Sequence, residues 1–174
     1  MVPVIIMSWL MATVSIVMAD FIPTLAAVVS VAAREKDLER IGFTRRRRQG
    51  MGTYREGNEI DHNAAVLSDA LAAIPGIHIA HSNTGMGTKS MITGASGLNG
   101  CLTIVVDGVV WQDSDGSSIE DFVRPNELEA VELYSSTTAP LEFAIASTQS
   151  SCQVLVLWTR SKIRSRGTSA KPPL

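Results

Sequence analysis

Histidine and cysteine are scarce in this chain of 174 residues, which contains three histidines and two cysteines. No group of them has the close spacing that is typical of zinc ligands, so we predict no metal site. A phosphate-binding loop needs glycine directly before its lysine, and Thr88 stands before Lys89. No serine lies in a Gly-x-Ser-x-Gly turn. We therefore predict no catalytic residues and no cofactor, and we expect the protein not to be an enzyme.

Aromatic residues make up only 5% of the chain, but 45% of the residues are hydrophobic. This length and composition predict one folded domain of ordinary size. The net charge of −2 gives no indication of nucleic-acid binding, although the charge is uneven. Residues 34–56 hold eight bases and four acids, whereas residues 101–152 hold nine acids and one base, Arg124. These segments are either solvated faces of a soluble domain or, for the first, a basic arm that meets anionic lipid headgroups.

Charged residues are absent from Val2 to Met18. The length of this apolar run is close to the minimum for a helix that spans a bilayer. A secretory signal normally has a basic residue before its apolar run, and none precedes this one. Residues 1–33 therefore have three interpretations: a signal or anchor helix, buried strands from an incomplete preceding domain, or a mis-started reading frame.

Hydrophobic periodicity predicts one clear helix, in which Leu67, Ala70, Leu71 and Ile74 form a single apolar stripe. Shorter patterns predict an extended segment over residues 26–31, a short helix over 34–41, loops over 45–52 and 82–100, and a disordered basic tail over 161–174.

Strand patterns lie mainly in the second half of the chain. Asp107-Gly108 stands between two β-rich runs and predicts a tight hairpin turn. Residues 154–158 are apolar without interruption, which predicts a strand buried on both faces. Residues 130–134 predict another strand, with Glu132 facing solvent.

The order of these pieces resembles the plug domain of TonB-dependent outer-membrane receptors. The resemblance rests on the helix with Leu67-Ser68-Asp69-Ala70-Leu71, the following Ile74-Pro75-Gly76-Ile77, the Asp107-Gly108 hairpin, the Pro125–Tyr134 segment and the final run from Cys152 to Thr159. It covers residues 25–160. It implies an α+β fold, in which short helices pack on a small mixed sheet over residues 34–160.

The family often has a TonB box ahead of the plug, and residues 25–33 stand at that place. A TonB box is an extended peptide that adds as a strand to the C-terminal domain of a TonB-like energy transducer. An ordinary first strand is the alternative for this segment. The predicted partner-binding residues are Ala26, Ala27, Val28, Val29, Ser30 and Val31.

Two cysteines, Cys101 and Cys152, each begin a predicted strand of the same sheet, and many plug-like sequences of this type carry cysteines at these two points. We predict a disulfide between them; two buried thiols are the alternative. A disulfide requires an oxidising compartment, which agrees with a location in the periplasm or the outer membrane.

Receptors of this family continue into a long β-barrel, and the sequence to Leu174 contains no such series of strands. The segment from Arg45 to Tyr54 also resembles the linker that precedes plugs behind carboxypeptidase-regulatory-like domains. We therefore expect a non-catalytic gating or interaction module, associated with the membrane and with a separate barrel or receptor partner. The alternative is a periplasmic or membrane-tethered binding domain with no link to TonB.

Overall fold

The computed structural model describes residues 25–84, 87–95, 100–112, 118–144 and 152–165. Its helices are α1 (Leu25–Arg40), α2 (Phe43–Gln49), α3 (Leu67–Leu71), α4 (Ile119–Phe122), α5 (Leu141–Ala144) and α6 (Arg160–Ser165). Its strands are β1 (Thr53–Glu56), β2 (Ile77–Thr84), β3 (Gly87–Gly94), β4 (Leu102–Val106), β5 (Val109–Val110), β6 (Leu128–Tyr134) and β7 (Gln153–Thr159). Two 3₁₀ turns, Gly57–Glu59 and Pro125–Glu127, precede α3 and β6. The predicted α+β class is confirmed.

Five strands form one mixed sheet in the order β1-β6-β7-β4-β5. Strands β4 and β7 are parallel, with Leu102 opposite Gln153, and the other neighbouring pairs are antiparallel. Strands β2 and β3 form a separate two-stranded sheet. All seven residues of β7 are buried, so the predicted central strand is confirmed.

Alternating side chains of the large sheet point into two different cores. On the apolar face, Val131, Leu133 and Leu155 pack with α3, α4 and the β2–β3 hairpin. On the helix face, Tyr134 and Trp158 pack with residues of α1, α2, α5 and α6. The sheet is therefore the middle of three layers, because both faces of its central strands are covered.

The predicted hairpin and helix are confirmed. Asp107 and Gly108 have φ values of 54° and 85°, as a two-residue turn with positive φ at both positions requires. The predicted apolar stripe is buried on the apolar face, with Leu67 and Leu71 fully buried. The helix itself is shorter than the stripe, because regular α3 ends at Leu71 and Ile74 lies in the following turn.

The extended conformation predicted for residues 26–31 is wrong, because they lie in α1 together with the residues of the predicted short helix. Ala26, Ala27, Ala32 and Ala33 are strong helix formers, and valine costs only a few tenths of a kcal/mol in a helix interior. Continuity with the charged half of α1 outweighs the β-branched pattern. Residues 1–24, with the predicted signal or anchor, lie outside the described residues.

Three predicted irregular segments contain regular structure. The loop predicted over 45–52 holds α2, whose four consecutive arginines are good helix formers. The loop predicted over 82–100 holds the end of β2 and all of β3, which are stabilised by cross-strand pairing that local composition does not show. The tail predicted to be disordered begins with α6, which packs Ile163 into the helix-face core. Residues 166–174 lie outside the described residues.

Candidate functional site

Helix α2 brings Arg46 to the buried centre of the helix face. Gly42 joins α1 to α2 with a φ of 79°, a left-handed conformation that favours glycine. Phe43 and Arg46 are three residues apart and so share one side of α2, where they are 0% and 3% exposed. Helices α1 and α2 thus form an N-terminal arm (residues 25–49) that places one guanidinium group against the sheet.

Glu132 of β6 receives this guanidinium group in a bidentate ion pair. Arg46 Nη2 lies 2.7 Å from Glu132 Oε1, and Arg46 Nε lies 2.9 Å from Oε2. Trp158 Nε1 donates to Oε1 at 2.6 Å, and the Tyr134 hydroxyl donates to Oε2. Each carboxylate oxygen therefore accepts two hydrogen bonds, which compensates for removal of the charge from water.

The prediction that Glu132 faces solvent is wrong, because its side chain is fully buried. The prediction assumed strict alternation along β6, with one face of the strand exposed to solvent. In the structure, other elements cover both faces. Glu132 lies on the helix face with Ala130 and Tyr134, and the polar partner that it finds there is Arg46.

Nη1 and the flat faces of the Arg46 guanidinium group also have partners. Nη1 donates to Ile41 O at 3.1 Å and to Glu142 Oε1 at 3.0 Å. The guanidinium carbon lies 5.1 Å from the ring centre of Phe143 and 5.8 Å from that of Trp158, within the range of cation–π attraction. The arm is therefore tied at one buried point to β6, β7 and α5.

Burial and charge shift the ionisation of this cluster. Burial raises the pKa of Tyr134, and the adjacent negative charge of Glu132 raises it further. Burial also raises the pKa of Tyr54, whose hydroxyl donates to Arg46 O at 2.8 Å. Burial alone would lower the pKa of Arg46, but its hydrogen bond and attraction to Glu132 outweigh burial and raise it. The guanidinium group of Arg46 therefore stays charged beside two tyrosines whose neutral form is favoured.

A second carboxylate joins the arm to the other end of the described chain. Glu129, with 11% of its side chain exposed, pairs with Arg34 Nε of α1 and, at 3.2 Å, with Arg160 Nε of α6. A cleft of about 410 Å³ opens between these two helices. Glu129 thus connects the first and last described helices through the bulged start of β6.

The parallel strands β4 and β7 are fastened at both ends. A disulfide joins Cys101 to Cys152 just before the strands begin, with the Cα atoms 4.7 Å apart. At the opposite end, Thr159 N and Oγ1 donate to the two carboxylate oxygens of Asp107 at 2.9 and 2.7 Å. The Asp107-Gly108 turn therefore also holds the start of α6.

Most charges of the basic segment are compensated within the fold. Besides Arg34 and Arg46, the ion pairs of residues 34–56 are Arg40–Asp37, Arg47–Glu56, Arg47–Glu59 and Arg48–Glu39. This pairing leaves less positive charge for anionic headgroups than the sequence suggests. It favours the interpretation of these segments as faces of the domain itself.

One protein-family model matches just over half of the chain. Residues 56–145, which are 90 of the 174 residues, match the family model of the TonB-dependent receptor plug domain. The chain belongs to this family. The resemblance inferred from the sequence is thus confirmed. A search of the curated proteins found no match to the chain. Plug domains of these receptors are non-catalytic and related to transport.

The plug match includes Glu132 and Tyr134 but neither Arg46 nor Trp158, which donate hydrogen bonds to Glu132 from other elements. It begins at Glu56, the last residue of β1, so the whole arm with Arg46 precedes it. Strand β7, with Trp158 and the second cysteine, follows it. The buried cluster therefore joins the matched plug region to segments on both sides of it.

Sequence reasoning identified both residues of the disulfide but missed Arg46, Glu132 and Tyr134. A weak signal was present: Glu132 is the one charged residue within Ala130–Tyr134, and Arg46 and Arg47 are spaced three and four residues from Phe43, on the same side of a helix. Among the described residues, no group of three or more His, Cys, Asp or Glu side chains could hold a metal ion. In the same part of the chain, no helix is long and apolar enough to cross a membrane.

Proposed function

We propose that this plug domain is a gating or interaction module of a TonB-linked receptor system in the outer membrane or periplasm. The observation that carries the proposal is the plug match, directly preceded by an arm that is clamped onto the sheet. The module acts without catalysis or cofactor, together with a receptor β-barrel. The Cys101–Cys152 disulfide supports an oxidising compartment.

The arm is the element that we expect a TonB-like transducer to engage. Residues 26–31 form the first part of α1, whereas β-augmentation requires an extended peptide. Binding would therefore unwind this part of α1. Leu38, Arg34 and Arg46 hold the remainder of the arm on the domain.

A periplasmic or membrane-tethered binding domain with no TonB link is the second candidate. The helical conformation of residues 26–31 favours it, because the backbone of a helical segment is hydrogen-bonded within the helix and needs no strand partner. The two candidates differ in one property, which is direct binding of the chain to a transducer.

The experiment measures binding of the full chain, purified from the periplasm, to an immobilised TonB C-terminal domain. Val29→Pro should abolish binding, because proline removes a backbone donor and restricts residue 28. Ala33→Pro is the matched control: Ala33 is exposed, lies outside residues 26–31 and sits in the same helix. It should strengthen binding, because it unwinds α1 and leaves every donor of residues 26–31 in place.

The outcomes separate the two candidates. Binding by the unmutated chain that Val29→Pro removes and Ala33→Pro retains supports the transducer link. Equal loss with both prolines would mean that the helix itself is recognised, which contradicts strand addition. Absence of binding by the unmutated chain and by Ala33→Pro would reject the transducer role of residues 26–31 and leave the second candidate.

A further inference from the structure

The side chain of His62 lies between two turns at one end of the β1–β6 strand pair. One 3₁₀ turn follows β1 and begins with Gly57, and the other precedes β6 and begins with Pro125. Glu56 of β1 is opposite Ala130 of β6, so both turns lie beside the last paired residues of these strands. The His62 ring is half-buried, whereas Gly57 and Pro125 are buried. One side chain thus spans the two connections at this end of the edge strand β1.

Both ring nitrogens of His62 face carbonyl oxygens. Nε2 lies 2.8 Å from Gly57 O, and Nδ1 lies 3.0 Å from Pro125 O. A neutral imidazole has one N–H group and one nitrogen with a lone pair, whereas the imidazolium has two N–H groups. A carbonyl oxygen only accepts hydrogen bonds, so the neutral ring would place a lone pair against one of the two oxygens. The arrangement therefore fits the charged ring, which donates to both.

The same two carbonyl groups close their own turns. Ile60 N donates to Gly57 O at 3.1 Å, and Leu128 N donates to Pro125 O. A carbonyl oxygen has two lone pairs, so each can accept from the ring as well. The turns are therefore complete without His62, and the ring adds the connection between them.

Charged side chains of both signs surround the ring. Four of them line the same cleft of about 570 Å³, two belong to the turn at Pro125, and one lies against Gly57 from α1. They are Arg55, Glu59, Asp61 and Asp69 in the cleft, Arg124 and Glu127 at the turn, and Arg34 on α1. Arg34 disfavours a second positive charge nearby, but it pairs with Glu129. Among the described residues, His62 takes part in no ion pair, so the two carbonyl oxygens are its direct partners.

We propose that His62 is a proton-dependent latch between these two turns. With both ring nitrogens protonated, the latch joins the turn after β1 to the turn before β6. Loss of one proton to solvent removes one of the two hydrogen bonds. Histidine changes its charge between about pH 5 and 8, so acidification within this range strengthens the connection and a rise in pH weakens it. The latch is separate from residues 26–31 and does not depend on engagement of the arm by a transducer.

Nuclear magnetic resonance of the ring nitrogens tests the latch in the unmutated full chain. With isotope-labelled histidine, both nitrogens of His62 should still carry a proton at pH values at which His78 has already lost one. His78 is the matched internal control, because it is exposed on β2. Loss of the second proton from His62 together with that of His78, or before it, would overturn the proposal.

Hydrogen exchange locates the effect at the two turns. Protection of the Ile60 and Leu128 amides, corrected for the intrinsic exchange rate, should fall about tenfold between about pH 6 and 8, because one hydrogen bond of the latch is lost. His62→Gln keeps a side-chain donor but does not change charge in this range, so its protection should stay constant. His78→Gln is the matched control and should behave as the unmutated chain does.

The outcomes distinguish a latch from a residue that only fills space. The same pH dependence in the unmutated chain and in His62→Gln would overturn the proposal. An equal fall in protection of Leu67–Leu71 in α3 would assign the effect to global stability and would also overturn it. If His62→Gln does not fold, the ring-nitrogen measurement on the unmutated chain decides by itself.

Discussion

The two faces of the central sheet are stabilised by different chemistry. On the apolar face, Leu67 and Leu71 of α3 cover Leu133 and Leu155 with hydrocarbon alone. On the helix face, a fully buried carboxylate and a buried guanidinium group lie among aromatic rings. The first face rests on the non-directional hydrophobic effect, whereas the second also requires one specific set of hydrogen bonds.

This difference shows what each face can contribute. A purely apolar face tolerates rearrangement if volume is conserved. A buried ion pair adds little net stability, but loss of one partner leaves an uncompensated charge. We infer that the helix face fixes where the N-terminal arm docks, whereas the apolar face provides most of the stability.

Glu132→Gln should produce the largest loss. It removes the buried carboxylate and leaves Arg46 with the exposed Glu142 as its remaining charged partner, which costs about 3–5 kcal/mol in free energy of unfolding. Urea denaturation measures the loss. Glu39→Gln is the control, because the exposed Arg48–Glu39 pair should contribute less than about 1 kcal/mol.

The double variant Arg46→Met/Glu132→Gln sharpens this prediction. It carries no unpaired charge, so it should be more stable than Glu132→Gln alone, although Arg46→Met is itself a substitution in the core. A double variant that loses the sum of the two single losses would show that the pair is not coupled.

Removal of the disulfide affects the sheet that both faces share. Cys101→Ser/Cys152→Ser releases a closed loop with a sequence separation of 51 residues. The chain-entropy model values this closure at about 4 kcal/mol. Thermal denaturation of the oxidised chain and the variant gives the difference. Titration of two thiols in folded protein from an oxidising compartment would contradict the bridge.

Leu71→Ala tests the apolar face. Leu71 is fully buried in the apolar core, so its truncation should cost about 2–5 kcal/mol in free energy of unfolding. The exposed Ala72 next to it provides a control position: Ala72→Ser should change stability by less than about 0.5 kcal/mol. A loss below about 1 kcal/mol for Leu71→Ala would mean that α3 adds little to the core.

Ionisation of the buried tyrosines should have the smallest effect on stability, because it does not occur at neutral pH. It concerns the helix face alone. The pKa values of Tyr54 and Tyr134, the two tyrosines of the chain, are both raised by burial. Their contribution to stability is complete below the unfolded pKa of about 10 and is lost as the pH rises above it. Tyrosinate absorbance at 295 nm should therefore appear together with unfolding. Normal ionisation of either residue in folded protein would contradict this environment.

The sequence predicted the parts of the fold that follow from local patterns. The stripe of α3, the Asp107-Gly108 turn and the doubly buried β7 were correct because periodicity and turn chemistry act within a few residues. The disulfide needed the resemblance in addition to strand placement. The same local rules misassigned residues 26–31, where alternation and helix propensity compete and continuity with the rest of α1 decides.

The candidate site depended on contacts that local patterns cannot show. Arg46 and Glu132 are 86 residues apart, and each is ordinary in its own segment: one of four arginines, and one acid in a strand. A charge in a strand usually marks the solvated side. That rule failed here because the arm covers the helix face and supplies the partner.

Hydrogen exchange of the unmutated chain and Glu132→Gln tests the central claim most directly, which is that the buried pair holds the N-terminal arm on the sheet. The account predicts that amides of Phe43–Gln49 lose protection in the variant, whereas those of Leu67–Leu71 on the apolar face keep theirs once the change in global stability is subtracted. Equal changes in both helices, or unchanged protection of α2, would contradict it.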